Sequence, residues 1–297
     1  MSNKEILFRL YKKFLDFGAK QNGLGIGKNP AVKKILKNTK TALRPESCNV
    51  LDHKMFLDKF DSLDLSINGI FAKFETELVR KEVKTGDVVM DIGAHIGYFT
   101  LILAKSVGDK GLVWAFEPEP KNFELLNKNV QVNNYENVIL TNKAVSDKNE
   151  KCLLYVGQES SGANRIYEPK KSSPYNQKFE TVTTETIVLD DFLKNEENLD
   201  KISFIKMDME GSELKGLHGM SSIIHSDKPL TILTELSWAS VKDSGSTVTD
   251  YLNFFKNENF SIHVVDDLNE KIIPVTVDEY MKSKFKNKTT NLLCKRI

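Results

Sequence analysis

An α/β fold with a mostly parallel sheet is what this sequence predicts, and three features carry the prediction. Short apolar runs alternate with segments of helical period from Asp87 onward. The first of those runs ends in a glycine turn, Asp91-Ile-Gly93-Ala-His-Ile-Gly97, which leads directly into a helical pattern. The composition is globular: of 297 residues, 40% are hydrophobic and 28% charged, and a chain of this length buries a sizeable core without staples. Strands separated by helices pair in parallel, and the helices then cover both faces of the sheet.

Residues 1–47 read as a basic helical extension and residues 48–297 as the α/β domain. Ile6, Leu7, Leu10, Tyr11, Phe14 and Phe17 recur at helical spacing, with Arg9, Lys12 and Lys13 elsewhere around the helix. The stretch 31–43, AVKKILKNTKTAL, repeats that character, and GLGIGKNP between the two is a Gly/Pro break. This extension holds 11 Lys/Arg against 3 Asp/Glu, a surplus of +8 that leaves −7 on the rest of a chain whose net charge is +1. Such asymmetry fits two helices packed on the main domain, a peripheral membrane contact, or contact with a partner such as nucleic acid or another subunit.

The α/β pattern then runs in order. DVVMDIG (87–93) is a buried strand and YFTLILAKSV (98–107) a helix. LVWAFE (112–117) is a second strand, KNFELLNKNVQVN (121–133) a helix, and NVILTNKAV (137–145) a third strand. Residues 157–181 are polar, with Gly, Ser and Pro, and read as a long loop or hairpin where binding residues often reside. ISFIKMD (202–208) is a fourth strand, SELKGLHGM (212–220) a short helix, and LTILTEL (230–236) a fifth strand. TVTDYLNFFKN (247–257) is a helix, and FSIHVVD (260–266) and NLLCKRI (291–297) close the chain as strands.

Several classes are disfavoured by composition. Cys48, Cys152 and Cys294 are odd in number and far apart, which argues against a disulfide framework and a structural zinc site and fits a reducing cytoplasm. His53, His218, His225 and His263 lack a metal-ligand spacing. No run of about 18 apolar residues is present, and the charged start MSNKEILFRLYKKF is unlike a secretory signal. A net charge of +1 offers no global field for DNA.

Glycines at the tip of the first strand let the backbone approach a ligand, and the helix that follows presents unpaired N–H groups. Glu117 ends the second strand, where a carboxylate can accept both hydroxyls of a ribose. Ligands of open α/β sheets bind outside the carboxyl ends of the strands, so these residues can share one crevice. The dinucleotide pattern G-x-G-x-x-G is absent; the spacing here is G-x-x-x-G, which disfavours an NAD-dependent oxidoreductase. S-adenosyl-L-methionine has a ribose and an adenine but no pyrophosphate, and the looser loop suits it.

The segments VVMDIGAHIGYFTL, AFEPEPKNFELLNKNV, NVILTNKAVSD, TIVLDDFL and FIKMDMEGSELKGLHG, in this order and spacing, resemble the FkbM family of S-adenosylmethionine-dependent methyltransferases. The resemblance runs from about Val50 to Trp238, with LSINGIFAKFETELVRKEVKTGD as the lead-in, and leaves residues 1–47 outside. It implies a Rossmann-like class I methyltransferase fold: seven strands, mostly parallel, the last antiparallel, with helices on both faces. It also implies transfer of a methyl group to a hydroxyl of a sugar, glycan or natural product. Carried over residue by residue, it sets Asp91, Gly93 and Gly97 along the methionine part of the cofactor. His95 stands where Asn is also common, Glu117 holds the ribose, and Asn142 and Ala144 lie near the adenine. Glu75 and Glu77, on the lead-in helix, are candidates to close over the site, with a solvated helix face as the alternative.

Lys206, Asp208 and Glu210 are spaced by two, which on a strand puts them on one face with Ile205, Met207 and Met209 on the other. Glu235 ends the neighbouring strand at the same edge. Asp208, Glu210 and Glu235 are therefore the candidate catalytic carboxylates. Asp208 would act as general base, or Asp208 and Glu235 as oxygen ligands of Mg²⁺. The competing reading is a Lys206–carboxylate ion pair that orders the turn. Trp114 reads as core, Trp238 as a candidate wall of an acceptor pocket, and SSGANR (160–165) as a candidate acceptor loop or a solvated one. An RNA methyltransferase is the second enzymatic reading; the acidic body and the lack of an aromatic-basic platform weigh against it. A binding module that keeps the fold without catalysis is the third, against which stand the intact glycine loop and Glu117.

Overall fold

The computed structural model describes residues 3–20, 29–170, 177–196 and 201–296. The glycine break at 23–28, the middle of the polar stretch 157–181 and the last residue of NLLCKRI lie outside the described residues. The chain divides into two compact units, Met1–Phe71 and Ala72–Ile297. The division falls later than the boundary expected after residue 47, because residues 48–71 make a small hairpin and turn that belong with the N-terminal helices.

In the first unit, α1 (Asn3–Lys20) packs on α2 (Pro30–Leu43), and the Tyr11 hydroxyl donates to the Leu36 carbonyl at 2.9 Å. Asn29 caps α2 by accepting the Ala31 N–H, and Pro30 occupies the first turn, where a missing N–H costs nothing. β1 (Ser47–Val50) and β2 (His53–Phe56) form an antiparallel hairpin, followed by the short α3 (Leu65–Asn68). Lys40 ties α2 to the turn before α3 through Asp64, at 2.5 Å.

The second unit opens with α4 (Lys73–Glu82), β3 (Val88–Ile92), α5 (Tyr98–Val107), β4 (Leu112–Phe116), α6 (Pro120–Val132) and β5 (Val138–Thr141). A separate three-stranded sheet follows: β6 (Ala144–Val145), β7 (Glu150–Gly157) and β8 (Phe179–Ile187), then α7 (Leu189–Phe192). The chain returns with β9 (Ile202–Met207), α8 (Glu213–His218), α9 (Ser221–Ile224), β10 (Leu230–Ser237), α10 (Trp238–Asp243) and α11 (Val248–Asn257). It closes with β11 (Ser261–Asp266), β12 (Lys271–Val275), α12 (Val277–Lys282) and β13 (Thr289–Arg296).

The main sheet has the order β12-β11-β13-β10-β9-β3-β4-β5. β5, β4, β3, β9 and β10 run parallel, and β13 inserts antiparallel between β10 and β11. This is the expected seven-stranded class I methyltransferase sheet with its reversed last strand. An eighth strand, β12, adds antiparallel to β11 at the edge. The segment KIIPV carries a proline, which confines it to an edge position and hides it from a pattern search. The expected third strand is split: 138–141 joins the main sheet, and Ala144 and Val145 join the satellite sheet.

β3, β4 and β9 are almost wholly buried, and α5 packs on β3 and β4. Each large aliphatic or aromatic side chain sealed in this way contributes roughly 1.5–3 kcal/mol. Trp238 is part of this core, its indole N–H pointing at the Tyr280 hydroxyl at 3.4 Å, so it is not a wall of an acceptor pocket. Chain direction from β3 leads outward to β4 and β5 on one side, and β9 and β10 lie on the other. The switch in strand order therefore falls between β3 and β9, where ligands of such sheets bind.

Candidate active site

Two strand ends meet at that switch. The turn after β3 presses against the chain leaving β9: the Asp208 N–H donates to the Ile92 carbonyl at 2.9 Å. A Cβ on Gly93 would lie 1.9 Å from the Asp208 carbonyl oxygen, and Gly93 has φ +82°, so no other residue fits. Gly97, at φ +92°, delivers the chain into α5 without a side-chain cap, which leaves the first N–H groups of that helix without a capping side chain.

Glu117, just past β4, is buried. Its Oε2 accepts the His95 N–H at 2.8 Å and its Oε1 the Glu119 N–H at 3.0 Å. The carboxylate thus braces the glycine loop, which holds His95 at φ +51°. Asn122 Nδ2 also reaches Oε1, at 3.5 Å, so spare acceptor capacity remains on Oε2. Asp91 is buried under the loop and accepts the Thr100 hydroxyl at 2.5 Å. Asn142 donates to the Glu117 carbonyl at 2.7 Å, which places it beside the same strand end. Ala144 is buried in β6 opposite Thr186 of the satellite sheet.

The carboxylates form a second group around Lys206. This buried ammonium lies 3.5 Å from Asp208, 3.8 Å from Glu75 and 5.1 Å from the centre of the Phe99 ring. Burial by itself would push the ammonium down, but Asp208, Glu75, Asp91 and Glu235 outweigh it and raise Lys206 above its ordinary value. The ion pair of the competing reading is present, and it stands at the carboxyl edge of the sheet. Glu75 of α4 also accepts Asn291 at 2.8 Å, whereas Glu77 sits beside Arg80 on the helix surface, 3.5 Å away.

Glu210 departs from the expected face. β9 ends at Met207, and Glu210 takes φ +53°, so the alternation stops before it. Glu213 causes the turn by accepting the Met209 and Gly211 N–H groups at 2.9 and 3.1 Å. The Glu210 carboxylate then faces Arg165 at 3.6 Å, and its carbonyl accepts the Tyr167 hydroxyl at 2.6 Å. Glu235 is half-buried near the end of β10, paired in register with Asn291. Burial, and after it the Asp208, Glu210 and Glu213 charges, push its carboxyl well up; Lys206 opposes them.

The loop 160–167 is not a solvated one. Ser161 Oγ meets His95 Nε2 at 2.7 Å, and its carbonyl accepts Asn122 at 3.0 Å. Arg165 is wholly buried between the Tyr167 and Phe179 rings. Ser161 and Arg165 belong to the candidate loop SSGANR, but their pairing with His95 and Glu210 was not legible, and Tyr167 and Glu213 were not legible as site residues at all. A buried arginine reads as a surface one in a polar stretch, and only the fold sets it against Glu210.

Among the described residues, no three His, Cys, Asp or Glu side chains are grouped as a metal site. Asp208 instead faces a resident ammonium, so the expected pairing of Asp208 with Glu235 as Mg²⁺ ligands does not fit these residues. The glycine cradle, the acidic end of β4 and the helix start do fit an adenosyl cofactor. A crevice of this build on this strand order defines an S-adenosylmethionine-dependent class I methyltransferase domain.

The family model described as "Methyltransferase FkbM domain" matches residues 91–262. The chain belongs to that family, and the match starts later and runs further than the resemblance read from the motifs. It is similar to "Methyltransferase 1" of Beauveria bassiana, 26% identical over 50% of this chain and 69% of that one. It is also similar to "Hexuronic acid methyltransferase AglP" of Haloferax volcanii, 29% identical over 50% of this chain and 56% of that one. A solved SAM dependent methyltransferase from Aquifex aeolicus aligns over 76% of this chain and 92% of its own, at 14% identity and TM-score 0.40, a likeness too slight to bear on function.

The buried carboxyls give a pH signature. Burial raises Glu75, Glu117 and Glu213 from 4.5 to about 7 and Asp91 from 3.8 to about 6. Between 4.5 and about 7 the folded chain keeps protons on the three glutamates that the unfolded chain releases, so their contribution to stability is lost as pH rises through that window. Glu117→Gln is therefore expected to gain melting temperature relative to the parent as pH rises from 4.5 to 7. A difference in melting temperature that stays constant across that range would contradict the raised value.

Proposed function

We propose that this protein transfers a methyl group to a hydroxyl of a sugar, with Asp208 as the general base. The observation that carries the reading is the state of Asp208: its side chain is 43% exposed at the switch point, while Lys206 and Glu75 beside it are buried and the Glu210 side chain is 13% exposed. Its carboxylate is open to an incoming acceptor. The relative named for hexuronic acid supports a sugar acceptor. Three free thiols fit a reducing compartment such as the cytoplasm.

Asp91, Gly93, His95, Gly97, Glu117, Asn142 and Ala144 are proposed to hold the cofactor, with Glu117 accepting the ribose hydroxyls. When bound, S-adenosylmethionine supplies a methyl carbon already activated for in-line displacement. Much of the protein's work is then alignment, which the interlocked ends of β3 and β9 provide. Asp208 accepts the acceptor hydroxyl proton as the new C–O bond forms. Lys206 holds Asp208 in place through their ion pair, and the raised Glu235 carboxyl resists adding a second negative charge beside it. Arg165 and Tyr167 hold Glu210 away from Lys206, which leaves Glu210 a positioning residue for the turn.

Calorimetric titration with S-adenosylhomocysteine tests the cofactor half. We expect micromolar binding that is lost in Glu117→Ala, and that strengthens as pH rises toward about 7, since ribose hydroxyls donate to an ionised carboxylate. Absence of binding, or binding untouched by Glu117→Ala, would remove the cofactor assignment. Methyl transfer to uronic acid glycosides then tests the acceptor half.

A further inference from the structure

We propose that the N-terminal unit docks on an anionic lipid surface through α1. Ile6, Leu7, Leu10 and Phe14 are 42%, 51%, 57% and 60% exposed. At 100° per residue these four fall within a single arc of about 100° along α1. The helix already has a committed arc: Phe8 is buried and Tyr11 is bonded to α2. The exposed stripe is thus a second apolar face. Large exposed apolar side chains elsewhere among the described residues stand singly, except Ile35 at 63% on the adjoining α2. Isolated exposed residues need no explanation, but four aligned on one helix do.

Charge decides the occupant. Arg9 and Lys13 are exposed and border the stripe at helical spacing, and Lys33, Lys34 and Lys37 are exposed on α2. Residues 1–47 carry 11 Lys/Arg against 3 Asp/Glu. A lipid surface with anionic headgroups satisfies both halves of this pattern, since the stripe enters the acyl boundary while the cations stay among the phosphates. A nucleic acid would use the cations and leave the aliphatic stripe in water. No described helix is long and apolar enough to cross a membrane, so the contact is one of lying on the surface.

The test is co-sedimentation of the full chain with vesicles of phosphatidylcholine containing phosphatidylglycerol, and with vesicles of phosphatidylcholine alone. Binding is expected to the first and to weaken with salt. Leu10→Glu with Phe14→Glu is expected to weaken it about tenfold. Arg9→Glu with Lys13→Glu, which leaves the apolar stripe intact, is expected to weaken it by a similar factor. Circular dichroism like the parent's, with unchanged S-adenosylhomocysteine affinity, shows that the variants fold and separates this result from the methyl-transfer reading. No binding to anionic vesicles overturns the proposal, as does binding that survives both double variants. A parent dimer that becomes monomeric in Leu10→Glu with Phe14→Glu also overturns it, because the stripe would then belong to a second copy.

Discussion

Asp208→Asn is expected to cut turnover by about 10²–10⁴-fold while leaving S-adenosylhomocysteine affinity near the parent's. The substitution keeps the size and the hydrogen-bonding shape of the side chain and removes its capacity to take a proton. The backbone bond from Asp208 N–H to Ile92 is untouched, so the joint between β3 and β9 stays closed. The side chain is exposed enough that the fold does not depend on its packing. Single-turnover methyl transfer and calorimetry on the same preparation make the comparison. Equal losses of turnover and cofactor affinity would make Asp208 a cofactor residue, and parental turnover would remove it from the chemistry.

The second large effect is on stability. Gly93→Ala puts a methyl group 1.9 Å from the Asp208 carbonyl oxygen, at a backbone φ of +82°. Overpacking and a left-handed backbone each cost on the order of 1–3 kcal/mol, so a loss of about 2–4 kcal/mol is expected. Gly97→Ala is the internal comparison. Its φ is equally positive, but its Cβ would meet the Leu126 Cδ1 at 2.7 Å, the end of a side chain that can turn aside. The loss there is expected to be smaller by about 1 kcal/mol or more. Urea denaturation of both variants measures the difference. A Gly93→Ala protein as stable as the Gly97→Ala one would mean that the β3 and β9 tips do not interlock as described.

Much of the fold was readable because strands buried on both faces are nearly continuous apolar runs. YFTLILAKSV is a helix over its full predicted length, Tyr98–Val107, since the glycine before it and the glycine after it mark both ends. The seven expected strands are all present. Edge and satellite elements were less legible: β12 carries a proline, and β6 is two residues long. A pattern rule needs length to work, and these segments have none to spare.

The site divides in the same way. Local chain chemistry determined the glycine loop, Glu117 and the Lys206–Asp208 pair, because each follows from turn geometry or from the two-residue period of a strand next to them. Tertiary structure alone decided the rest. It turned Glu210 toward Arg165 through a left-handed backbone and the Glu213 carboxylate, and it buried Arg165 between two rings. It also gave Asp208 a resident ammonium in place of a second ligand for a metal. Charge pairing and burial depend on which side chains arrive from distant parts of the chain, and no spacing within one segment encodes that.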